Sequence, residues 1–197
     1  MKTALFSLLI SFSCFFMFSQ ELPTLNLSET VSQDFEFPIT LSKNDIGVIL
    51  HLTGGWSAYD HKSYYIFKDS GDVILYNRKF PKSYLRKKKA LKDTLTKIEL
   101  TTEQKQQVVN KLNASTTLNF LKYSQHNFKT ISATGPPVCM ISDATGYNFA
   151  IIQDGKVNSY KYYAPDHSYN NCNDKNINKV VLGQYIALID FWFNRKK

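Results

Sequence analysis

Four histidines and their neighbours are the first candidates for chemistry in this sequence of 197 residues. They are His51, His61, His126 and His167. Asp60-His61 and Asp166-His167 are two Asp-His pairs whose convergence would build an acid–base or metal site. Adjacent residues of an extended chain point to opposite sides, so neither pair can hold one ligand without a turn. No two histidines have the spacing of a metalloprotease helix. We therefore expect loop histidines in solvent, with no metal and no cofactor.

Two other motifs approach known functional patterns without completing them. Gly55-Trp56-Ser57-Ala58-Tyr59 resembles a nucleophile elbow, but Tyr59 replaces the second glycine and an aromatic strand follows where a helix is required. The segment 169–176 is rich in oxygen ligands, but it lacks the glycine and most of the carboxylates of an EF-hand loop. These departures argue against a serine hydrolase and against a calcium site.

The most basic part of the chain is a single segment, residues 78–92. Its eight basic residues are Arg78, Lys79, Lys82, Arg86, Lys87, Lys88, Lys89 and Lys92, with no acidic residue among them. The chain has a net charge of +8, which becomes +7 if Lys2 is removed with a leader, so the rest sums to 7 − 8 = −1. The segment is either a solvated loop or helix face, or a docking surface for an anionic partner. Lipid headgroups at a membrane surface, an acidic glycan or an acidic protein fit this charge, and nucleic acid ranks last for an exported protein.

Aromatic residues cluster at two predicted hairpins. Trp56, Tyr59, Tyr64 and Tyr65 belong to the first, and Tyr160, Tyr162, Tyr163 and Tyr169 to the second. Because side chains alternate between the faces of a strand, we expect that Tyr64 and Tyr65 are not both in the core. Trp56 and Tyr59 are the predicted contacts to a sugar or protein partner. The alternative is a sheet with tyrosines on its solvent face.

The elements that carry these residues are predicted to be antiparallel hairpins and two helices. Strands are expected at residues 48–52, 64–67 and 73–76, and again at 138–141, 147–152 and 157–162, with Asp-Gly and Thr-Gly turns between several of them. A helix candidate follows each group. The fold class is α+β, with antiparallel β-meanders and helices packed on one face. A βββα unit used twice is one form of it, with halves at 44–115 and 130–197.

Both helices have local sequence signals. Thr101-Thr102-Glu103-Gln104 is a capping box, and Val108, Val109 and Leu112 give the helix that follows one apolar face. Residues 179–193 place Val181, Tyr185, Leu188 and Trp192 at helical spacing, with Asn176 or Asn178 as the N-cap. Residues 118–123 fit a short strand or an extra helical turn equally well.

The N-terminus has the pattern of an export leader. Lys2 precedes an apolar run, and the small residue Ser19 predicts cleavage of residues 1–19, so that Gln20 begins the mature protein. A lipid anchor at Cys14 is the alternative, disfavoured by the residues before it. Residues 20–43 are predicted to be a tether with one short strand at 35–37, and residues 44–197 to be a single domain.

After cleavage only Cys139 and Cys172 remain, and in an oxidising compartment we expect them to form a disulfide. These features together predict an exported, extracytoplasmic protein, periplasmic or secreted, that binds an anionic or acidic partner without catalysis. An inhibitor or immunity-type protein belongs to this class. A hydrolase that uses convergent Asp and His residues and a structural envelope component are the alternatives.

Overall fold

The computed structural model describes residues 22–30, 35–85, 90–130, 139 and 141–195. Its strands are β1 (Glu29–Thr30), β2 (Ile46–Gly54), β3 (Tyr59–Phe67), β4 (Val73–Pro81), β5 (Thr94–Ile98), β6 (Thr145–Gln153) and β7 (Lys156–Tyr163). Its helices are α1 (Thr102–Asn113), α2 (Ser115–Phe120), α3 (Pro165–Asn170) and α4 (Lys179–Trp192), and Ser83–Leu85 and Gln125–Phe128 are short 3-10 turns. The predicted α+β class with antiparallel meanders is confirmed. None of the helices in this part of the chain has the length and apolar character needed to cross a bilayer.

The seven strands form one antiparallel sheet in the order β1-β7-β6-β2-β3-β4-β5. Its centre is the β2–β6 pair, which joins the meander β2–β5 to the hairpin β6–β7. The second group has two strands where three were expected, because Cys139 and Ile141 lie in no strand. Val138 and Met140, the other half of that predicted strand, lie outside the described residues. Among the residues that the structure describes, the two halves therefore do not repeat one βββα unit.

Both predicted helices form where their caps place them. The Thr101 hydroxyl accepts from the Gln104 amide at 3.2 Å, and the Gln104 side chain accepts from the Thr101 amide at 2.9 Å, which completes the capping box. The Asn178 side chain caps α4 by accepting from the Val181 amide at 3.3 Å. Residues 118–120 are helical, as part of α2. Local sequence was sufficient here, because a cap satisfies amides within its own helical turn.

One face of the sheet packs against the helices. Val181, Tyr185, Leu188 and Trp192 of the predicted α4 stripe are all buried there, and the Trp192 ring contacts those of Tyr65 and Phe149. Cys172, which is fully buried, is joined to Cys139 by the expected disulfide. This disulfide ties the segment before β6 to the loop that leads into α4.

The opposite face is partly covered by the segment that precedes β2. Phe35 and Phe37 pack against a second buried cluster that contains Ile49 and Tyr64. The short strand predicted at residues 35–37 does not form. Gly47 makes this possible, since a Cβ there would lie 2.3 Å from the Phe37 ring. Tyr64 is therefore buried on this face, while Tyr65 lies on the other face, where it is half-buried and packs against the core under the helices.

The described part of the predicted tether is also packed on the domain. The Leu25 amide donates to the Gln153 side chain at 2.7 Å, and the Ser28 amide donates to Asn158 at 2.9 Å. Leu27 is buried, and β1 extends the sheet by pairing with the start of β7. Residues 22–30 thus lie along the β7 edge instead of extending away from it.

Replacing Asp45 by asparagine is expected to lower the free energy of unfolding at neutral pH by about 2–3 kcal/mol. The carboxylate is almost fully buried and accepts from the amides of Ser42 at 2.7 Å and Asp69 at 3.0 Å, and from the Lys68 ammonium. Urea titration measures the loss. Asp69→Asn is the matched control at an exposed carboxylate, with an expected change below about 0.5 kcal/mol.

The same substitution has a defined pH dependence. Burial works to raise the pKa of Asp45, but hydrogen bonds from Lys68, Ser42 and Asp69 outweigh it and hold the pKa below its usual value. A lowered folded-state pKa gives stability that is complete above the unfolded pKa, about 3.9, and is lost as pH falls through the folded value. The difference between wild type and Asp45→Asn should therefore shrink below about pH 4. A difference that stayed constant well below pH 4 would contradict the assignment.

Candidate binding surface

The predicted basic segment, residues 78–92, begins on β4 and continues into the connection between β4 and β5. Arg78 and Lys79 lie on β4, where they pair with Leu95 and Thr94 of β5. Lys92 is exposed just before β5. The central four residues, Arg86, Lys87, Lys88 and Lys89, lie outside the described residues.

An ion pair joins β4 to the residue that precedes β5. The Arg78 guanidinium donates to both oxygens of Asp93, at 3.0 Å from Nε to Oδ1 and 2.6 Å from Nη2 to Oδ2. The hydrogen bonds to Asp93 raise the pKa of Arg78 above its ordinary value. Asp93 follows the segment directly in the sequence, and its carboxylate compensates the charge of one of the eight basic residues, Arg78. Arg78 therefore holds Asp93 against β4 and does not present an uncompensated charge.

Lys82 has a structural position that its place in the basic run did not suggest. Its side chain is 7% exposed, and Nζ donates to the Gly55 carbonyl at 2.6 Å. Its amide also donates to the Ala58 carbonyl at 3.0 Å. Lys82 therefore ties the β2–β3 turn to the start of the β4–β5 connection, and its ammonium is not presented to solvent.

The β2–β3 turn presents the predicted tryptophan. Trp56 is 90% exposed, more than any other large hydrophobic side chain in the described part of the chain. Tyr59 is half-buried, and the Lys79 ammonium lies 4.3 Å from the centre of its ring, in a cation–π contact. The structure thus brings Trp56, Tyr59 and Lys79 to the same end of the sheet as the basic connection. We call this end, with residues 56–59, Lys79, 82–85 and 90–93, the basic-aromatic end.

Beside the basic-aromatic end, a row of polar side chains crosses the sheet face opposite the helices. Lys161, Asn148, His51 and Lys62 are consecutive partners in the strand register of β7, β6, β2 and β3. The Phe80 ring lies 5.6 Å from Lys62 Nζ and 5.7 Å from the His51 ring. A cavity of about 400 Å³ adjoins this row where β3 and β4 meet the residues before β5. Its lining residues are Lys62, Arg78, Phe80, Pro81, Leu91 and Asp93. Sequence reasoning missed the row, because cross-strand register is not encoded within any one strand.

His51 is neutral in this row. Burial, with smaller contributions from the charges of Lys62 and Lys161, lowers its pKa to about 4. Its Nδ1 lies 3.1 Å from the Asn148 amide nitrogen, and within the described residues its buried Nε2 has no hydrogen-bond partner. A neutral imidazole between two lysines keeps the row from becoming more cationic until the pH is well below neutral.

The remaining histidines lie on separate elements. His61 lies on β3 opposite Lys79, His126 lies in the 3-10 turn Gln125–Phe128, and His167 lies in α3. Asp166, the partner in one Asp-His pair, forms an ion pair with Arg195 at 2.7 Å. Within the described residues no three His, Cys, Asp or Glu side chains come together as a metal-binding group.

Comparison with known proteins adds no family to this picture. No protein-family model matches the chain, and no curated protein has a significantly similar sequence. Functional inference therefore depends on the geometry of the chain itself.

Proposed function

We propose that this is an exported binding protein that engages an acidic or anionic partner through its basic-aromatic end. The observation that carries the proposal is the position of Trp56, 90% exposed on a turn that Lys82 ties to the start of the basic connection. Fully exposed tryptophan is costly to leave in water and is enriched at the centres of binding interfaces. Surrounding cations would add long-range attraction and orientation.

The location belongs to the same proposal. The leader pattern of residues 1–19 supports export, and a Cys139–Cys172 disulfide is the bonding expected outside a reducing cytoplasm. A protein that binds by shape and charge, without a catalytic group, fits an inhibitor or immunity-type role in the periplasm or outside the cell. Contact with an anionic membrane surface uses the same charges.

Charge reversal of Arg86, Lys87, Lys88 and Lys89 to glutamate tests the proposal. The wild-type protein should bind heparin, used as a polyanionic probe, at low salt and lose it at high salt, because screening weakens exposed charge pairs. The variant should bind at least about tenfold more weakly, since four attractive charges become repulsive. Affinity chromatography and calorimetry on the purified proteins compare the heparin affinities of wild type and variant. Capture from an envelope extract then identifies the natural partner.

The matched control reverses four exposed lysines elsewhere, Lys43, Lys122, Lys156 and Lys175, for the same change in net charge. This control should keep most of the affinity if the position of the charges matters. Trp56→Ala should weaken capture of the natural partner while leaving the fold intact, because its side chain is exposed. Equal losses in the two charge-reversal variants would show that net charge alone causes the binding and would overturn the proposed surface.

A further inference from the structure

A polar cavity of about 370 Å³ opens beside the basic-aromatic end. Its walls come from the β2–β3 turn, the start of the β4–β5 connection and the segment before β6. The lining residues are Gly54, Gly55, Asp60, Lys82, Ser83, Tyr84, Asp143 and Tyr163. This volume lies within the range of small-ligand sites, about 300–1,000 Å³.

Exposed aromatic rings concentrate around this cavity. In the described part of the chain, the large aromatic side chains that are exposed are Trp56, Tyr84, Tyr163 and Tyr169. Tyr84 and Tyr163, at 73% and 44% exposure, line the cavity, and Trp56 directly follows its wall residue Gly55. Tyr169 lies apart, on α3. Two of these four rings therefore line the cavity, and a third follows its wall in sequence, against the usual tendency to bury aromatic surface.

Fixed polar groups complete the wall. Lys82 is held by the Gly55 carbonyl, and the Tyr163 hydroxyl accepts from the Ala144 amide at 2.8 Å, which orients that ring. Two carboxylates, Asp60 and Asp143, face the same cavity. One oxygen of Asp60 is buried and has no hydrogen-bond partner within the described residues.

We infer that this cavity binds a pyranose ring of a neutral oligosaccharide. A pyranose has an apolar C–H face, which packs on an aromatic ring, and hydroxyl groups at its edge, which donate to carboxylates. The cavity is lined by both kinds of group. The two carboxylates disfavour an anionic ligand, which separates this site from the anion-binding role of the neighbouring basic connection. The inference does not depend on that role.

Titration calorimetry with chitotriose, cellotriose and maltotriose on the purified protein tests the inference. At least one of the three should bind, and Tyr84→Ala should weaken that binding about tenfold or more, as expected for removal of a central aromatic contact. Tyr84 is so exposed that its loss should leave folding unaffected. Asp60→Asn provides a second variant, which keeps the side-chain shape and removes the charge that strengthens a hydrogen bond from a sugar hydroxyl.

Tyr169→Ala is the matched control, an exposed tyrosine outside the cavity, and it should bind the sugar as wild type does. The charge-reversed variant of residues 86–89 should also retain sugar binding, whereas Tyr84→Ala should retain heparin binding. Failure of one proposal is thereby distinguished from failure of the other. Absence of binding to all three sugars at millimolar concentration, or an unchanged affinity in Tyr84→Ala, would overturn the inference.

Discussion

Replacement of Trp192 by alanine should lower the free energy of unfolding by about 3–5 kcal/mol. The side chain is 2% exposed and fills the core between α4 and the sheet, with its ring 5.6 Å from Phe149 and 5.9 Å from Tyr65. Its Nε1 donates to the Thr117 hydroxyl at 3.0 Å. Alanine leaves a cavity and also removes the donor to the Thr117 hydroxyl, which keeps only its own hydrogen bond to the Lys111 carbonyl, and each effect is destabilising. Urea denaturation followed by far-ultraviolet circular dichroism measures the loss.

The chain contains its own matched control, because its second tryptophan has the opposite environment. Trp56→Ala removes a side chain that is 90% exposed, so the free energy of unfolding should change by less than about 0.5 kcal/mol. Trp192→Phe should lie between the two, since it keeps a ring and loses the hydrogen bond to Thr117. If the two alanine variants lost equal stability, the position of α4 on the sheet would be wrong.

Removal of the Cys139–Cys172 disulfide should cost about 3–4 kcal/mol. The bond closes a loop with a sequence separation of 33 residues, and the chain-entropy model gives this magnitude for a loop of that length. It also fixes a segment that lies in no strand, next to the fully buried Cys172. Paired replacement by serine, in a chain that begins at Gln20 so that no other thiol is present, provides the variant for urea denaturation.

Reduction supplies an independent measurement of the same quantity. Wild-type protein treated with a thiol reductant should move to the midpoint of the double-serine variant, and that variant should not respond to the reductant. A reductant-insensitive wild type whose midpoint equals that of the variant would contradict the disulfide. A shift in the variant would show that the reductant acts elsewhere.

The basic segment shows where sequence reasoning had too little information. Its eight cations were correctly grouped by charge, but the grouping did not distinguish their environments. Arg78 is compensated by Asp93 and Lys82 is buried against the Gly55 carbonyl, so neither presents a free charge at the surface. Asp93 directly follows the segment, so the sequence itself shows a carboxylate that could pair with it. The contact between Lys82 and the Gly55 carbonyl joins residues 27 apart, and no local pattern indicates it.

The second face of the sheet shows the same division. Tyr64 and Tyr65 were correctly placed on opposite sides by strand alternation, since that period is a property of the backbone. What alternation did not reveal is that the side opposite the helices is covered as well. Phe35 and Phe37 cover the other side, and their packing depends on the absence of a side chain at Gly47.

The amino-acid sequence by itself determined the α+β class, the caps and apolar stripes of α1 and α4, the central strands and the cysteine pair. These features depend on hydrogen bonds within one helical turn, on side-chain periodicity and on the number of thiols. The first two involve only residues close in sequence, and the third is a count, so all can be read from the sequence. Only the tertiary structure decided the order and register of the strands, the second buried face, the burial of Lys82 and the meeting of Tyr84 and Tyr163 at one cavity. Such contacts join distant segments, and their free energy depends on the packing of the whole chain, which no local pattern records.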